Sequence, residues 1–235
     1  MRATSSRACC REIPQVPGFT IAGAWQPART VGGDYYDVFP LSETELALIV
    51  ADVSGKGMPA ALLMSNLQAT VKAYATMECL PRDLCGKVNR AICKSITAGK
   101  FITFFYAVLD SAGRRLTYTN AGHNAPLLAR QDGACLRLEA GGAVLGVFPG
   151  GSYESASVDL RAGDRLVLFT DGITEAADSG GEELGEERLI AFLRENATAS
   201  ATELRDAIMQ GVTQFCREDF ADDATLLTVV VDRSA

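Results

Sequence analysis

Glu45–Met64 reads ELALIVADVSGKGMPAALLM, and two periodicities meet inside it. Up to Val53 the run is almost wholly apolar, the pattern of a buried strand. After the polar, glycine-rich Ser54–Gly57 the period changes. Pro59 suits the first turn of a helix, and Leu63, Leu67, Val71 and Tyr74 recur at intervals of three to four, the stripe of an amphipathic helix. Before this stretch, FTIAGAW (Phe19 to Trp25) and DYYDVFPL are strand-like, and the polar turn Ser42–Thr44 joins the second to the Glu45 run. Beyond it, a second helix starts near Pro81, with Leu84, Val88, Ile92 and Ile96 on one face. FITFFYAVLD turns through Ser111–Gly113 and returns as RLTYTNAG. PLLAR, QDG and CLRLEA read as a hairpin, and ESASVDL, RAGD and RLVLFTD as another. Ser200 and Glu203 form a capping-box signature ahead of a helix carrying Leu204, Ile208 and Phe215. TLLTVVV closes the chain as a buried strand.

Hairpins dominate, so the sheets are expected to be antiparallel. Segregated runs of strands and helices indicate an α+β fold, two sheets packed face to face with helices outside. Residues 1–17 read as an N-terminal tail or truncated linker and 18–235 as one domain.

The chain has 235 residues, 48% of them hydrophobic, enough to bury a core without disulfides. A net charge of -7 argues against nucleic acid or an anionic membrane as partner and attracts divalent cations. Seven cysteines, an odd number with no C-x-x-C pair, read as reduced thiols, including Cys9 and Cys10 in the tail. The start lacks the apolar core of a signal peptide. No apolar run approaches the ~20 residues needed to span a bilayer. A cytoplasmic location is expected.

Acidic residues recur where strands meet turns. Asp34 follows Gly32 and Gly33. Asp52 ends the Glu45 run, Asp171 ends RLVLFTD, and Asp222 and Asp223 open the terminal strand. An ionised carboxylate beside a buried strand needs a partner or a metal, and all-oxygen donors favour hard cations such as Mg²⁺ or Mn²⁺. Aspartate also caps turns through its own backbone, which accounts for any one of these sites alone. Gly32 and Gly33 permit close backbone approach, and Gly55 and Gly57 form a tight loop.

The segments VGGDYYDVFPL, VADVSGKGMPAALLM, TFFYAVLD, YTNAGHNAPLL, LGVF, LVLFTDGITEA and ADDATLLTVVV, in order from about Val16 to Val231, resemble the motifs of the PPM family of metal-dependent protein phosphatases. The branch they are most similar to is the bacterial SpoIIE/RsbU-like one. The resemblance implies an α-β-β-α sandwich with two Mn²⁺ or Mg²⁺ ions held by Asp34, Asp52, the Val53 carbonyl, Asp171 and Asp222, with Asp223 the less suited of the last pair. It implies hydrolysis of phosphoserine or phosphothreonine by direct attack of a water activated by two ions. No C-x-x-x-x-x-R signature of a cysteine phosphatase is present. The implied partner is a phosphorylated anti-anti-sigma protein of the STAS type in sigma-factor regulation. An upstream sensory or receiver module is also implied, and the chain reads as an excised catalytic domain or a natural short form.

Arg29 is a candidate contact for the substrate phosphate or a plain loop arginine. His123, the single histidine, reads as structural, and Lys56 as a solvated loop lysine with a secondary chance of steering an acidic partner. A catalytically weak, partner-binding pseudophosphatase and a small-molecule phosphatase on the same scaffold are the alternatives. All four expected acid positions are filled, which argues against the first.

Overall fold

The computed structural model describes residues 13–29 and 31–233. Cys9, Cys10 and most of the expected tail lie outside the described residues. Ile13 and Val16, at the end of that tail, pack against the core. The elements are β1 (Phe19–Gln26), β2 (Tyr35–Pro40), β3 (Glu45–Val53), α1 (Met58–Tyr74), α2 (Pro81–Ile92), β4 (Ile102–Asp110), β5 (Arg115–Ala121), β6 (Leu127–Ala129), β7 (Cys135–Arg137), β8 (Gly141–Gly142), β9 (Ala156–Asp159), β10 (Arg165–Phe169), α3 (Asp171–Thr174), α4 (Gly185–Glu195), α5 (Ala201–Phe215) and β11 (Ala224–Val231).

One sheet runs β1-β11-β10-β6-β7 and the other β2-β3-β4-β5-β8, with β9 also paired to β5. Every pairing is antiparallel except β5 with β8.

Strand alternation explains how these sheets stack. In β3, Leu46, Leu48 and Val50 join Phe105, Leu116, Leu166, Leu168, Leu227 and Val229 in a layer between the sheets. The alternate residues Ala47, Ile49, Ala51 and Val53 face the other way, onto Leu67 and Val71 of α1 and Leu84, Val88 and Ile92 of α2. In the first sheet Val167, Phe169 and Leu226 likewise back onto α4 and α5 through Leu189, Leu193, Leu204 and Ile208. Strands with helix on one face and sheet on the other have no solvent face, so β3, β10 and β11 are near-continuous apolar runs. The result is the four-layer sandwich expected from the sequence.

Local signals behave as read at α1, where Pro59 sits in the first turn, and at α5, where Ser200 and Glu203 close a reciprocal capping box. Ile96 falls beyond the end of α2 but still packs on the helix-side core. The second expected hairpin is corrected. β9 pairs with β5, Leu116 opposite Val158, and β10 lies between β6 and β11 in the other sheet. Its burial pattern gives the reason. β9 alternates half-buried and exposed residues, as a one-sided edge strand does, whereas β10 is buried throughout and needs neighbours on both sides. The intervening turn, with Gly163 at φ 78°, carries the chain from one sheet to the other. Among the described residues no helix is long and apolar enough to cross a membrane.

Candidate metal centre

The carboxylates are placed by the same alternation that builds the core. Asp52 is in step with Leu46, Leu48 and Val50, and Asp34 with Tyr36 and Val38. Thr170 is in step with Leu166 and Leu168, and Asp223 and Thr225 with Leu227 and Val229. All therefore point into the inter-sheet layer. The registers Tyr35↔Ala51 and Phe169↔Leu226, continued by one pair, set Asp34 opposite Asp52 and Thr170 opposite Thr225. At this end of the sandwich apolar filling gives way to acids and hydroxyls.

Asp34 is buried, and its Oδ2 accepts hydrogen bonds from Thr170 Oγ1 at 2.7 Å and Thr225 Oγ1 at 2.6 Å. Asp223 accepts from the backbone N–H of Ala28 at 2.9 Å and of Gly33 at 2.8 Å, which anchors the β1–β2 loop. The glycines are spatial requirements here. A Cβ on Gly32 would fall inside the Asp223 carboxylate, and one on Gly172 would collide with the Asp223 backbone carbonyl. At Gly33 it would press on the Val53 carbonyl oxygen at 2.9 Å. Asp171 opens the short helix α3. Asp222, half exposed, pairs with Lys56 Nζ at 2.8 Å, and the same ammonium donates to the Ala221 carbonyl at 2.8 Å.

Crowding sets the charge states. Burial lifts the Asp34 carboxyl well above its ordinary range; the Thr225 hydroxyl partly offsets this and the Asp52 charge adds to it. Burial, then the charges of Asp171 and Asp222, push Asp52 from 3.8 to about 7, while contact with Asp34 pulls it back somewhat. Asp171 is raised by burial and by Asp222, against the Gly172 N–H and Lys56. Glu175, which the sequence reading missed, is raised by burial and then by Asp171. Its signal was its place four residues after Asp171, one helical turn on.

Among the described residues no three His, Cys, Asp or Glu side chains converge on one ion position as they stand. Asp34 is turned to its two threonines, Asp223 to backbone amides and Asp222 to Lys56. The chemistry of the donor set nevertheless suits hard divalent ions. It is all oxygen, it gathers more carboxylates than Lys56 can neutralise, and Asp52 already carries the repulsion that a cation relieves.

Arg29 is exposed on the β1–β2 loop, next to the Asp223-anchored Ala28. His123 is buried, with Nδ1 2.8 Å from Thr103 Oγ1, and Thr103 pairs across the sheet with Asp52. Asn120 brackets its backbone, accepting from His123 N at 2.7 Å and donating to His123 O at 2.9 Å. Burial holds the His123 ring down at about 4, the Phe169 backbone offsetting only part of this. It reaches Asp52 only through Thr103, the residue paired with Asp52 on the next strand.

The sequence model of the family described as Stage II sporulation protein E (SpoIIE) matches residues 42–232. The chain is 31% identical to the phosphoserine phosphatase RsbU of Bacillus subtilis, over 93% of its own length and 65% of that protein's. It is 29% identical to the protein IcfG of Synechocystis, over 92% of this chain and 38% of that one. The chain thus spans less than two thirds of the length of these curated relatives. Among solved structures, the SiaA-PP2C domain of Pseudomonas aeruginosa superposes with a TM-score of 0.81 at 23% identity, covering 90% of this chain and 86% of that one. The RsbU and RsbW domains of Rv1364c from Mycobacterium tuberculosis give 0.76 at 27% identity, covering 95% and 62%. Matched along most of its length and folded as the solved PP2C domains are, the chain belongs to the SpoIIE family.

Proposed function

We propose that this chain is a metal-dependent phosphatase acting on phosphoserine or phosphothreonine in a bacterial signalling protein. The observation that carries the reading is the mutual proximity of Asp34, Asp52, Asp171 and Asp222, with burial first and then the charges of Asp171 and Asp222 raising Asp52 to about 7. Kinship with RsbU, a phosphoserine phosphatase by name, supports it.

Asp52 is assigned as the central ligand, because it feels Asp34, Asp171 and Asp222 together. Asp171 and Asp222 are assigned to its outer side, and the Val53 carbonyl to the Gly33 side. Asp34, gripped by two hydroxyls, orients Asp52 and joins the ligand set from behind. Asp223 is assigned as the loop anchor rather than a ligand, since it is buried and both its oxygens accept backbone hydrogens of the β1–β2 loop, whereas Asp222 is half exposed. Two Mn²⁺ or Mg²⁺ ions bound there would lower the pKa of a water and offset negative charge on the phosphoryl oxygens. Arg29, exposed beside the anchored loop, is assigned to the substrate phosphate. His123, buried and neutral, takes no part in proton transfer.

The substrate assigned is a folded phosphoprotein of the STAS anti-anti-sigma type, with a sensory or receiver module acting on the domain from elsewhere in a longer chain. In Rv1364c the matching domain is accompanied by an RsbW domain, which supports a place in that kind of circuit. The test is hydrolysis of an aryl phosphate by the purified chain with Mn²⁺, with Mg²⁺, and with chelator. Activity should need metal and return when metal is restored. Equal turnover in chelator would refute the assignment.

A further inference from the structure

Lys56 is placed where a divalent ion would have to compete with it. Its ammonium is 2.8 Å from Asp222 Oδ2 and donates to the Ala221 carbonyl, so it ties the β3–α1 loop to the loop that precedes β11. The same charge draws Asp171 and Glu175 downward. It thus faces the outer carboxylates of the cluster and not open solvent alone.

We propose that Lys56 is a built-in counter-ion for the Asp222 position, an intramolecular competitor that sets how tightly divalent ions are held. The inference rests on the phosphatase reading and adds to it a residue that tunes the metal. Three observations carry it. An ion taking Asp222 Oδ2 as ligand competes with the ammonium for that oxygen, the other oxygen accepting the Asp223 N–H. The ion pair is weak enough to be displaced, since its side chains are 43% and 45% exposed. The lysine also stands between Gly55 at φ 97° and Gly57 at φ 76°, two backbone conformations that L side chains rarely adopt. No atom lies within 4 Å of a Cβ built on Gly57, so its positive φ and not crowding is what selects glycine. Glycine on both sides of Lys56 lowers the steric cost of any backbone change that re-aims the side chain, while Asp52 is held in β3.

The experiment is calorimetric titration of Mn²⁺ into wild type, Lys56→Gln and Lys56→Arg, with folding checked by circular dichroism. Lys56→Gln should bind Mn²⁺ about two- to fivefold tighter, the range set by an exposed ion pair, and Lys56→Arg should stay close to wild type. In an Asp222→Asn background the gain from Lys56→Gln should shrink markedly, because the competed carboxylate is gone. Equal or weaker binding by folded Lys56→Gln overturns the inference and makes Lys56 a loop anchor through Ala221. Failure of wild type itself to take up Mn²⁺ overturns both this inference and the phosphatase reading, so the two failures are told apart.

Discussion

Asp52 is the residue at which electrostatics and the proposed function meet. Its folded value of about 7 lies above the 3.8 of an exposed aspartate. The stabilisation linked to its protonated form is therefore complete below about pH 4 and lost as pH rises through about 7. His123 runs the other way. Held down at about 4, its contribution is complete above 6.5 and lost as pH falls. Above pH 6.5 only the carboxylates matter. In chelator the thermal midpoint of wild type should fall from pH 6.5 to about pH 8, Asp52→Asn should flatten that fall, and Mn²⁺ should reverse it. Turnover by Asp52→Asn should drop by more than about 100-fold, the loss of a ligand exceeding that of an outer partner. The adjacent pair separates in a different way. Asp223→Asn should cost about 1–3 kcal/mol of stability, seen in urea unfolding, by disturbing one buried and one part-buried backbone hydrogen bond. Asp222→Asn should leave stability nearly unchanged and weaken Mn²⁺ binding. The reverse pattern would exchange their roles. Adjacent identical residues differ here only by strand parity, which carries Asp223 inward and Asp222 to the rim, and that parity depends on where β11 begins.

At the scale of elements, the strand–loop–helix unit from Glu45 to Tyr74 was legible because its periods differ sharply. What holds α1 in place was not. Lys72, near its C-terminal end, pairs with the buried Asp37 of β2 at 2.8 Å and lies over the Phe39 ring, and the Tyr35 hydroxyl donates to the same carboxylate at 3.0 Å. Nothing local in DYYDVFP announces a partner more than thirty residues away. Asp37→Ala takes away the carboxylate that the half-buried Lys72 ammonium pairs with and should destabilise the fold by about 3 kcal/mol. If α1 communicates with Asp52 through the Ser54–Gly57 loop, Mn²⁺ affinity should fall as well; thermal melts with and without metal separate the two effects. The misread β9–β10 hairpin shows the complementary limit. Two strands and a tight turn are a local pattern, but the sheet each strand joins is decided by how many faces it must bury.

Across the whole molecule, the antiparallel sandwich was legible from hairpin frequency, and the acid positions from their place at strand ends. Their nearness to one another was not, because it needs the register of two sheets at once. The same global view bears on the substrate. The candidate site lies at the end of the inter-sheet layer with Asp222 and Glu175 at its rim, Arg29 is exposed on the neighbouring β1–β2 loop, and the chain carries a net charge of -7. Selectivity then falls to surfaces around the site. A folded phosphorylated STAS protein should release phosphate at least about tenfold faster than a free phosphopeptide of the same local sequence, since ~1.4 kcal/mol of surface contact suffices for that ratio. Equal rates would favour a small-molecule substrate. The central claim is that these carboxylates hold catalytic ions, and an anomalous difference map from a crystal soaked in Mn²⁺ tests it most directly. Two peaks are expected within about 2.2 Å of carboxylate oxygens, with Asp52 common to both, Asp171 and Asp222 completing the set, and Lys56 withdrawn from Asp222. A map with no peak at Asp52, in crystals with ordered manganese elsewhere, would contradict the account.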